Sequence, residues 1–595
     1  MYATLGMAAF AGFLKRWLTR VVRTMSRRRL LILAAVAVAF VSGSAALVLK
    51  AAVHFLQVLA RERLTDGLYM FAPAVGILLA VGASWFLFRD QLRRGTAYLI
   101  YSISRQFSRL PLVDRYGHVI TSALTVGMGG SVGIESPIVQ TGAAIGSWFG
   151  SNAPFSYQDR TLLLACGVAS GIAAAFNAPI AGVLFAIEVL LIDFSVQNFL
   201  ALILAGATGA LCSQIFDSSD ILLFFSLQEQ FRYTNIPFYV ILAFGCGAYS
   251  AAYIKFQHWF DLQAQKFANK RLIRWALGVS SLAILLVFLP ALFGEGYVVI
   301  DHLANQSLLQ ALSAYGSIPS MLVNDHGLLL VLVVTVLLKP LAVSLTLFAG
   351  GNGGNFAPAL FIGACLGFLF ASVANEFLYL ELPLSNFTLV GMAGILSGIF
   401  HAPLTAIFLI AEITGGYGLI IPLMVVSVIS LGVSRHFQPL SLDEIKLKQM
   451  DDRFHFSHDT RVLSGMTLAN LLETDFATIA EGATMADLRK AITQSKRNIF
   501  PVVDKVGKLT GVITLDDVRK VMFDDSLSAT GDELAHFVQT VDVAIDITDG
   551  MASVMEKFEA SGLWNIPVVV AGRYVGFVSK SKLLSGYRET LKHRD

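Results

Sequence analysis

Two glycine-rich segments combine the residue types that could hold an anion. The first runs from Gly129 to Pro137 and the second from Gly350 to Pro358, and an apolar stretch follows each. Glycine lets neighbouring backbone N–H groups face one point, and proline in the first turn of a helix sacrifices no hydrogen bond. A helix N-terminus also carries about half a positive charge. Each segment is therefore predicted to be an anion cradle at the start of a helix.

The two segments belong to a longer internal repeat. They align at an offset of 221 residues, from 129 to 350, and the similarity continues at nearly the same offset as far as Glu188 and Glu412. Such repeats are typical of transporters whose ion site lies between the repeats, at broken helices. The alternative interpretation is that the glycines only let helices pack closely. The matched pairs are Gly129/Gly350, Gly130/Gly351, Gly133/Gly354, Pro137/Pro358, Gly142/Gly363, Ala143/Ala364, Gly146/Gly367, Gly167/Gly391, Ala169/Ala393, Phe176/Phe400, Ala178/Ala402 and Pro179/Pro403.

The composition predicts an integral membrane protein up to about residue 435. Mean hydropathy is +0.67, and 14% of the residues are charged, compared with about 25% in soluble domains. A basic leader precedes the first apolar stretch, and the positive-inside rule places it in the cytoplasm. The leader could also attract anionic lipid. The net charge of +3 is too small to indicate a nucleic-acid partner.

Beyond Pro439 the chain becomes richer in charged residues and contains two similar units. In each unit an Asn-x-(x)-Pro-Val-Val strand, at 498–503 and 565–570, leads through a turn to a Gly-x-Ile/Val-Ser/Thr strand. This pattern resembles a tandem pair of CBS domains, a soluble regulatory module that often binds adenine nucleotides. The resemblance implies that a hydroxyl and a carboxylate in Ser/Thr-x-x-Asp hold phosphate and ribose.

The first unit keeps both residues of that pattern, as Thr514 and Asp517. The second unit keeps Ser579, but Lys582 occupies the position of the aspartate. We therefore expect at most one adenine-nucleotide site. The alternative is a structural or dimerising module without a ligand.

The membrane half resembles the CLC family of chloride channels and chloride/proton exchangers. The family's Gly-Lys/Arg-Glu-Gly-Pro motif falls on Gly133 to Pro137, with the basic residue and the second glycine replaced. Its Gly-x-Phe-x-Pro motif is intact from Gly354 to Pro358. The Gly-Ser-Gly-Ile-Pro motif is not recognisable, and its expected place reads Gly-Thr-Ala-Tyr-Leu at 95–99.

The resemblance implies an all-α polytopic membrane domain with inverted repeats and broken helices, followed by an α/β pair of cytoplasmic CBS domains. The expected parts are a basic cytoplasmic segment at 1–29, a transmembrane anion-transport domain at 30–447, a linker at 448–462 and CBS domains at 463–523 and 534–590.

The resemblance also implies roles for residues of the two cradles. A carboxylate inside a membrane domain is costly and usually functional, and Glu135 matches the family's gate, an anion mimic that opens on protonation or displacement. The alternative for Glu135 is a helix cap that never moves, and the alternative for the Phe356 ring is ordinary core packing. The candidate backbone donors to an anion are Ile134, Ser136, Asn355, Phe356 and Ala357.

The inner half of the pathway departs from the family pattern. The family's hydroxyl pair is a serine from the missing motif, for which Thr96 is the nearest hydroxyl, and a tyrosine where this chain has Asp443. A slipped alignment offers Ser441 instead. Exchangers carry a second, internal glutamate as a proton relay, and here Val189 stands in its place, as in channel members. The adjacent Glu188 is expected to be structural.

The resemblance implies a homodimer in the lipid bilayer, in the inner (plasma) membrane of a prokaryote, with chloride as the permeant small anion. Val189 favours a passive channel, of the voltage-gated type, with a glutamate gate and cytoplasmic CBS regulation. The alternative is a chloride/proton antiporter without the usual internal glutamate. A CBS-containing divalent-cation transporter is more remote, because its site needs clustered carboxylates. No nucleophile–base set or metal-ligand spacing is evident, so neither an enzyme, a metal site nor a required cofactor is expected.

Overall fold

The computed structural model forms two compact units, Met1–Asp452 and Arg453–Asp595, and each is described by itself. The basic leader up to residue 25 and most of the expected linker lie outside the described residues. The structure describes residues 26–64, 66–105, 108–152, 155–190, 196–216, 225, 229–267, 270–316, 318–450, 468–519, 532–547, 549, 551–570 and 572–592.

The first unit is helical throughout its described part. Three short 3-10 turns, at Tyr233–Asn235, Pro290–Leu292 and Ser320–Leu322, join the longer helices. The α-helices are α1 Arg27–Arg63, α2 Asp66–Tyr69, α3 Ala72–Phe86, α4 Thr96–Arg105, α5 Asp114–Gly127, α6 Glu135–Asn152, α7 Tyr157–Phe176, α8 Pro179–Glu188, α9 Val196–Phe216, α10 Ile236–Gln265, α11 Arg271–Phe288, α12 Tyr297–Ala304, α13 Leu308–Leu312, α14 Asp325–Phe348, α15 Phe356–Leu378, α16 Leu384–Phe400, α17 Pro403–Ile413, α18 Ile420–Phe437 and α19 Leu442–Met450.

Among the described residues, eight helical segments are long and apolar enough to cross a membrane. The composition therefore predicted the class of the first unit correctly, and the chain is an integral membrane protein. The expected domain end at residue 447 lies inside helix α19, which runs to Met450.

The internal repeat is visible as two matched helix sets, α6 to α8 and α15 to α17. Helices α7 and α16 both end at a left-handed residue, Asn177 at φ 52° and His401 at φ 55°, which is uncommon for residues other than glycine. Pro179 and Pro403 then begin the next helix of each set, as proline's missing N–H allows. These matched breaks make α8 and α17 short, as expected for broken helices.

The glycines that match between the two halves of the repeat also have a packing role. A Cβ on Gly142 would clash with the carbonyl oxygen of Gly167, and one on Gly363 would clash with that of Gly391. Helix α6 therefore packs on α7 in the same close manner as α15 packs on α16. The close-packing interpretation holds for these glycines, which lie inside the helices and not in the two cradles.

The second unit contains two three-stranded sheets of the same topology. In each, the first two strands are parallel and the last two antiparallel. The strands are β1 Ile479–Ala480, β2 Ile499–Val503, β3 Leu509–Thr514, β4 Ile545–Asp546, β5 Asn565–Val570 and β6 Arg573–Ser579; the helices are α20 Leu468–Leu471, α21 Met485–Gln494, α22 Leu515–Val518, α23 Asp532–Ala535, α24 Met551–Ser561 and α25 Lys580–Lys592.

A short segment of each expected domain, 463–523 and 534–590, packs into the core of the other. Helix α20 packs its leucines into the core around β5 and β6, whereas Leu534 of α23 packs into the core around β2 and β3. Backbone bridges from Glu473 to Phe577 and from Val512 to Gln539 fix this exchange. Each half therefore completes its core with a segment from the N-terminal end of the other half.

Candidate functional site

The two cradles meet at one point in the membrane unit. Gly133 and Gly354 form an antiparallel bridge in which each N–H donates to the other carbonyl, at 3.0 and 2.8 Å. Positive φ values at Gly129 (92°) and Gly350 (100°) begin both loops. Helices α6 and α15 consequently start side by side, with Glu135 and Phe356 as their first residues. The antiparallel pairing is what an inverted repeat requires.

Glu135 is 1% exposed, and its carboxylate reaches across the boundary between the repeats. One oxygen accepts a hydrogen bond from the Tyr297 hydroxyl, and the other accepts from the Ala357 N–H at 3.4 Å. A Cβ at position 133 would clash with that second oxygen, so Gly133 leaves the space the carboxylate occupies. A negative group thus lies at the N-terminus of α15, where a halide would be favoured.

A second acidic residue, which the sequence analysis did not identify, lies beside Glu135. Glu295 precedes α12, is 7% exposed, and accepts a hydrogen bond from the Ile134 N–H at 3.1 Å. The Gly-Glu-Gly-Tyr sequence at 294–297 was a detectable indication, since it places a carboxylate and a hydroxyl between glycines in an apolar region. It lies outside the internal repeat, so the repeat could not reveal it.

A buried lysine stands behind this loop. Lys339 of α14 is fully buried, and its ammonium donates to the Ser131 hydroxyl at 2.9 Å and to the Gly294 carbonyl at 3.1 Å. It also lies 4.6 Å from the centre of the Phe361 ring. These contacts tie the first cradle to the loop that carries Glu295 and Tyr297.

The remaining predicted donors surround the start of the two helices. The Asn355 side chain accepts from the Tyr253 hydroxyl at 2.8 Å, and Ser136 packs against Gly354. The Phe356 ring contacts the rings of Phe176 and Phe400 with centroids 5.8 and 5.7 Å apart. The ring is therefore part of an aromatic core, while anion binding by these backbone N–H groups stays a prediction.

Two residues that depart from the family pattern at the inner end of the pathway line one small cavity of about 30 Å³. Val189 and Asp443 both line it, and one oxygen of Asp443 is buried without a hydrogen-bond partner among the described residues. Thr96 begins α4, one turn before Ile100, which also lines the cavity. The lining residues are Ile100, Glu188, Val189, Phe400, His401, Arg435, Ser441, Asp443 and Glu444.

Ser441 and Glu444 form the N-terminal cap of α19. The Ser441 N–H donates to the Glu444 carboxylate at 2.7 Å, and the Glu444 N–H donates to the Ser441 hydroxyl at 3.3 Å. This reciprocal arrangement is a capping box. The Ser441 hydroxyl is engaged by the helix, so Asp443 is the cavity carboxylate with a buried oxygen that has no donor in the part of the chain that the structure describes.

Glu188 and Glu412 occupy matching structural positions. Glu188 accepts from the N–H groups of Leu404 and Thr405 at 3.0 and 2.7 Å. Glu412 accepts from the corresponding groups at the start of α8, at 3.0 and 2.9 Å. Each carboxylate therefore caps the short helix of the other repeat, which agrees with the structural role expected for Glu188.

In the second unit, Thr514 and Asp517 are bonded to each other. The Thr514 hydroxyl donates to the Asp517 carboxylate at 2.6 Å, and Gln539 also donates to that carboxylate at 3.0 Å. The pair forms the capping box of α22, so the pattern expected for a nucleotide also has a local structural use. Binding of a nucleotide's ribose by the Thr514–Asp517 pair stays a prediction.

A larger cleft lies at the other half of this unit, where no intact nucleotide pattern was expected. It has a volume of about 350 Å³ and is lined by Lys582, Arg497 and Trp564, among others. Arg497 donates to Asp475 at 2.7 Å and to Glu473 at 3.0 Å. The hydrogen bond from Arg497 lowers the pKa of Asp475, and Lys582 lines the same cleft.

Comparison with known proteins identifies the family. The family model for voltage gated chloride channels matches residues 85–435, and the model for the CBS domain matches residues 468–524. The chain belongs to the CLC family. Proteins of this family are transporters or channels, so the chain is an anion-transport protein and not an enzyme.

Relatives with curated names include both functional classes. The chain is 25% identical to the chloride channel protein CLC-f of Arabidopsis thaliana, over 78% of this chain and 66% of that protein. It is 31% identical to the voltage-gated ClC-type chloride channel ClcB of Escherichia coli, over 53% and 71%. It is 28% identical to the H(+)/Cl(-) exchange transporter ClcA of Vibrio cholerae, over 51% and 62%. The chain thus spans about two thirds of these relatives' lengths.

Solved structures share the fold. A slow cyanobacterial Cl-/H+ antiporter superposes with a TM-score of 0.59 at 20% identity, covering 72% of this chain and 99% of that one. A eukaryotic CLC transporter gives the same score and identity and covers 94% of this chain and 99% of that one. At this identity the likeness establishes architecture, and it confirms the expected CLC-like membrane domain with a CBS-containing second unit.

Proposed function

We propose that this chain is a chloride/proton exchanger in which Asp443 takes the place of the usual internal proton-binding glutamate. The observation that carries the proposal is the shared cavity: Asp443 lines the same space as Val189, the position of the missing relay. Its buried oxygen has no hydrogen-bond donor among the described residues, so it can accept a proton. The exchanger alternative raised from the sequence is therefore preferred to the channel.

Proton transfer needs a group that titrates at each end of the pathway, because a bare charge in hydrocarbon is prohibitively costly. Glu135 serves the outer end and Asp443 the inner end. An aromatic run joins them: Tyr297 contacts Phe176, and Phe356 contacts Phe176 and Phe400, the last of which lines the cavity. Since phenylalanine side chains have no titratable group, we expect water in the anion pathway to carry protons across this stretch.

Glu135 couples the two ions by competing for the anion's donors. As a carboxylate it holds the Ala357 N–H and the Tyr297 hydroxyl. Protonation removes its charge and weakens both contacts, so chloride takes the N–H donors. The proton that Glu135 carries is then released on one side while chloride leaves on the other. Chloride is the substrate named for the curated relatives.

Flux measurements in proteoliposomes test the role of Asp443. We expect Asp443→Asn to lose most of the proton flux that a chloride gradient drives, while chloride flux persists, and Asp443→Glu to restore proton flux. Glu444→Gln is the matched control, since Glu444 lines the same cavity but is engaged by the Ser441 N–H. Unchanged proton coupling in Asp443→Asn would remove Asp443 from the mechanism.

A passive channel is the second candidate, and Val189 is the observation that favours it. Valine cannot bind a proton, and the relative of 31% identity carries a channel name. In a channel, Asp443 would only shape the inner opening. The wild-type protein would then pass chloride with no coupled proton flux, and voltage dependence would become the property to measure.

The assembly completes the proposal. The protein is a homodimer in the plasma membrane of a prokaryote, with its leader and CBS domains in the cytoplasm, as the basic leader favours.

The CBS unit binds one adenine nucleotide through Thr514 and Asp517. Calorimetry with ATP on the full-length protein should show one site per chain, lost in Asp517→Ala and kept in Asp487→Ala, which removes the same kind of capping box at Thr484. Two equivalent sites would contradict this assignment.

A further inference from the structure

Glu295 occupies a backbone donor that belongs to the first cradle. Its carboxylate accepts from the Ile134 N–H at 3.1 Å, while Glu135 accepts from the Ala357 N–H in the second cradle. Each cradle therefore donates to a carboxylate from another segment. An anion cannot use the Ile134 N–H until the Glu295 carboxylate leaves it.

The loop that carries Glu295 is held in a defined conformation. Gly294 and Gly296 on either side have φ values of 64° and 96°, which only glycine adopts without strain. A Cβ on Gly296 would clash with the Phe361 ring. Lys339 bonds the Gly294 carbonyl, so the loop is anchored beside the carboxylate.

Several charged or titratable groups face Glu295. Glu135 lies close enough to repel it, and the cations Lys339 and Lys50 attract it. Two hydroxyls, those of Tyr297 and Tyr315, complete the surroundings. Lys339 is 0% exposed and Lys50 is 8% exposed, so both lysines are buried with the acid. Glu295 therefore faces one other acid and two lysines.

We propose that Glu295 is a second gating carboxylate, which binds the Ile134 N–H in the closed state and must leave it before a small monovalent anion binds there. The two glutamates then form a double gate: Glu135 closes the Ala357 donor and Glu295 the Ile134 donor. The inference rests on the anion pathway placed at Glu135, and it does not depend on proton coupling. A merely structural Glu295 would hold the loop and never exchange with anions.

The test measures chloride binding by calorimetry on the purified full-length protein, together with chloride flux as a function of pH. Glu295→Ala frees the Ile134 N–H, so chloride no longer has to displace a charged acceptor from it. We expect chloride affinity at neutral pH to rise about tenfold, which corresponds to the strength of one hydrogen bond to a charged group. Glu295→Gln keeps the shape and removes the charge, and a smaller increase is expected. Glu376→Gln on α15, which alters the contact of Glu376 with His326 of α14, is the control and should leave affinity unchanged.

The pH dependence of chloride flux separates gating from structure. Glu135→Gln and Glu295→Gln should each retain a shallower pH dependence, and the double variant should lose it. A folded Glu295→Gln protein with wild-type affinity and wild-type pH dependence would overturn the proposal. If Glu295→Ala fails to fold, the Gln variants still decide the question. Absence of proton coupling in the wild type would refute the exchanger and leave this result unaffected.

Discussion

Replacing Glu135 with glutamine should open the anion pathway at neutral pH. The carboxylate holds two donors, the Tyr297 hydroxyl and the Ala357 N–H. A hydrogen bond to a charged group contributes about 1.5–3 kcal/mol and a neutral one about 0.5–1.5 kcal/mol. The substitution therefore weakens the side chain's hold by roughly 2 kcal/mol over both bonds, which corresponds to about thirtyfold weaker competition with chloride, given about 1.4 kcal/mol per tenfold.

Chloride efflux from proteoliposomes, followed with a chloride electrode, measures this effect. Wild-type flux should rise as the pH falls, because protonation of Glu135 frees the same donors. Glu135→Gln should be faster than the wild type at neutral pH, with a shallower pH dependence. Tyr297→Phe removes only one of the two contacts and should give a smaller increase. Wild-type flux and pH dependence in folded Glu135→Gln protein would refute the gate assignment.

Two further predictions concern stability in detergent, measured by thermal unfolding. Glu188→Gln and Glu412→Gln should each lower the free energy of unfolding by about 1–3 kcal/mol, since each weakens two charge-assisted bonds from backbone N–H groups at a helix N-terminus. Glu188 also accepts a hydrogen bond from the Thr405 hydroxyl, so a larger loss for Glu412→Gln would argue against matched caps. Gly142→Ala and Gly363→Ala should both be destabilising, because the added Cβ meets the backbone of the packed helix. Gly82→Ala, inside α3, has open space for its Cβ and should be neutral or slightly stabilising. A harmless Gly142→Ala would contradict the close packing.

The sequence predicted those parts of the site that repeat. The matched glycines and prolines around Gly133 and Gly354 were visible as a pattern, and the structure pairs these two residues directly. The same symmetry placed Glu188 and Glu412 in equivalent positions. Repeated local sequence gives repeated local structure, so these features needed no knowledge of distant contacts.

The features missed from the sequence depend on contacts between distant segments. Glu295 reaches Ile134 across 161 positions, and nothing in the repeat predicts that contact. The Thr514–Asp517 pattern fits both a helix cap and a nucleotide site, so local sequence cannot choose between them. Val189 favoured a channel because Asp443, the carboxylate that we propose compensates for it, becomes its neighbour only in the folded cavity.

Coupled ion flux under voltage clamp tests the central claim most directly. Proteoliposomes containing the wild-type protein are held at zero potential with valinomycin and equal potassium, and only a chloride gradient is imposed. The exchanger predicts a sustained proton flux opposite to chloride and in fixed proportion to it, abolished in Glu135→Gln. Chloride movement without any proton flux would contradict the exchanger and establish a channel.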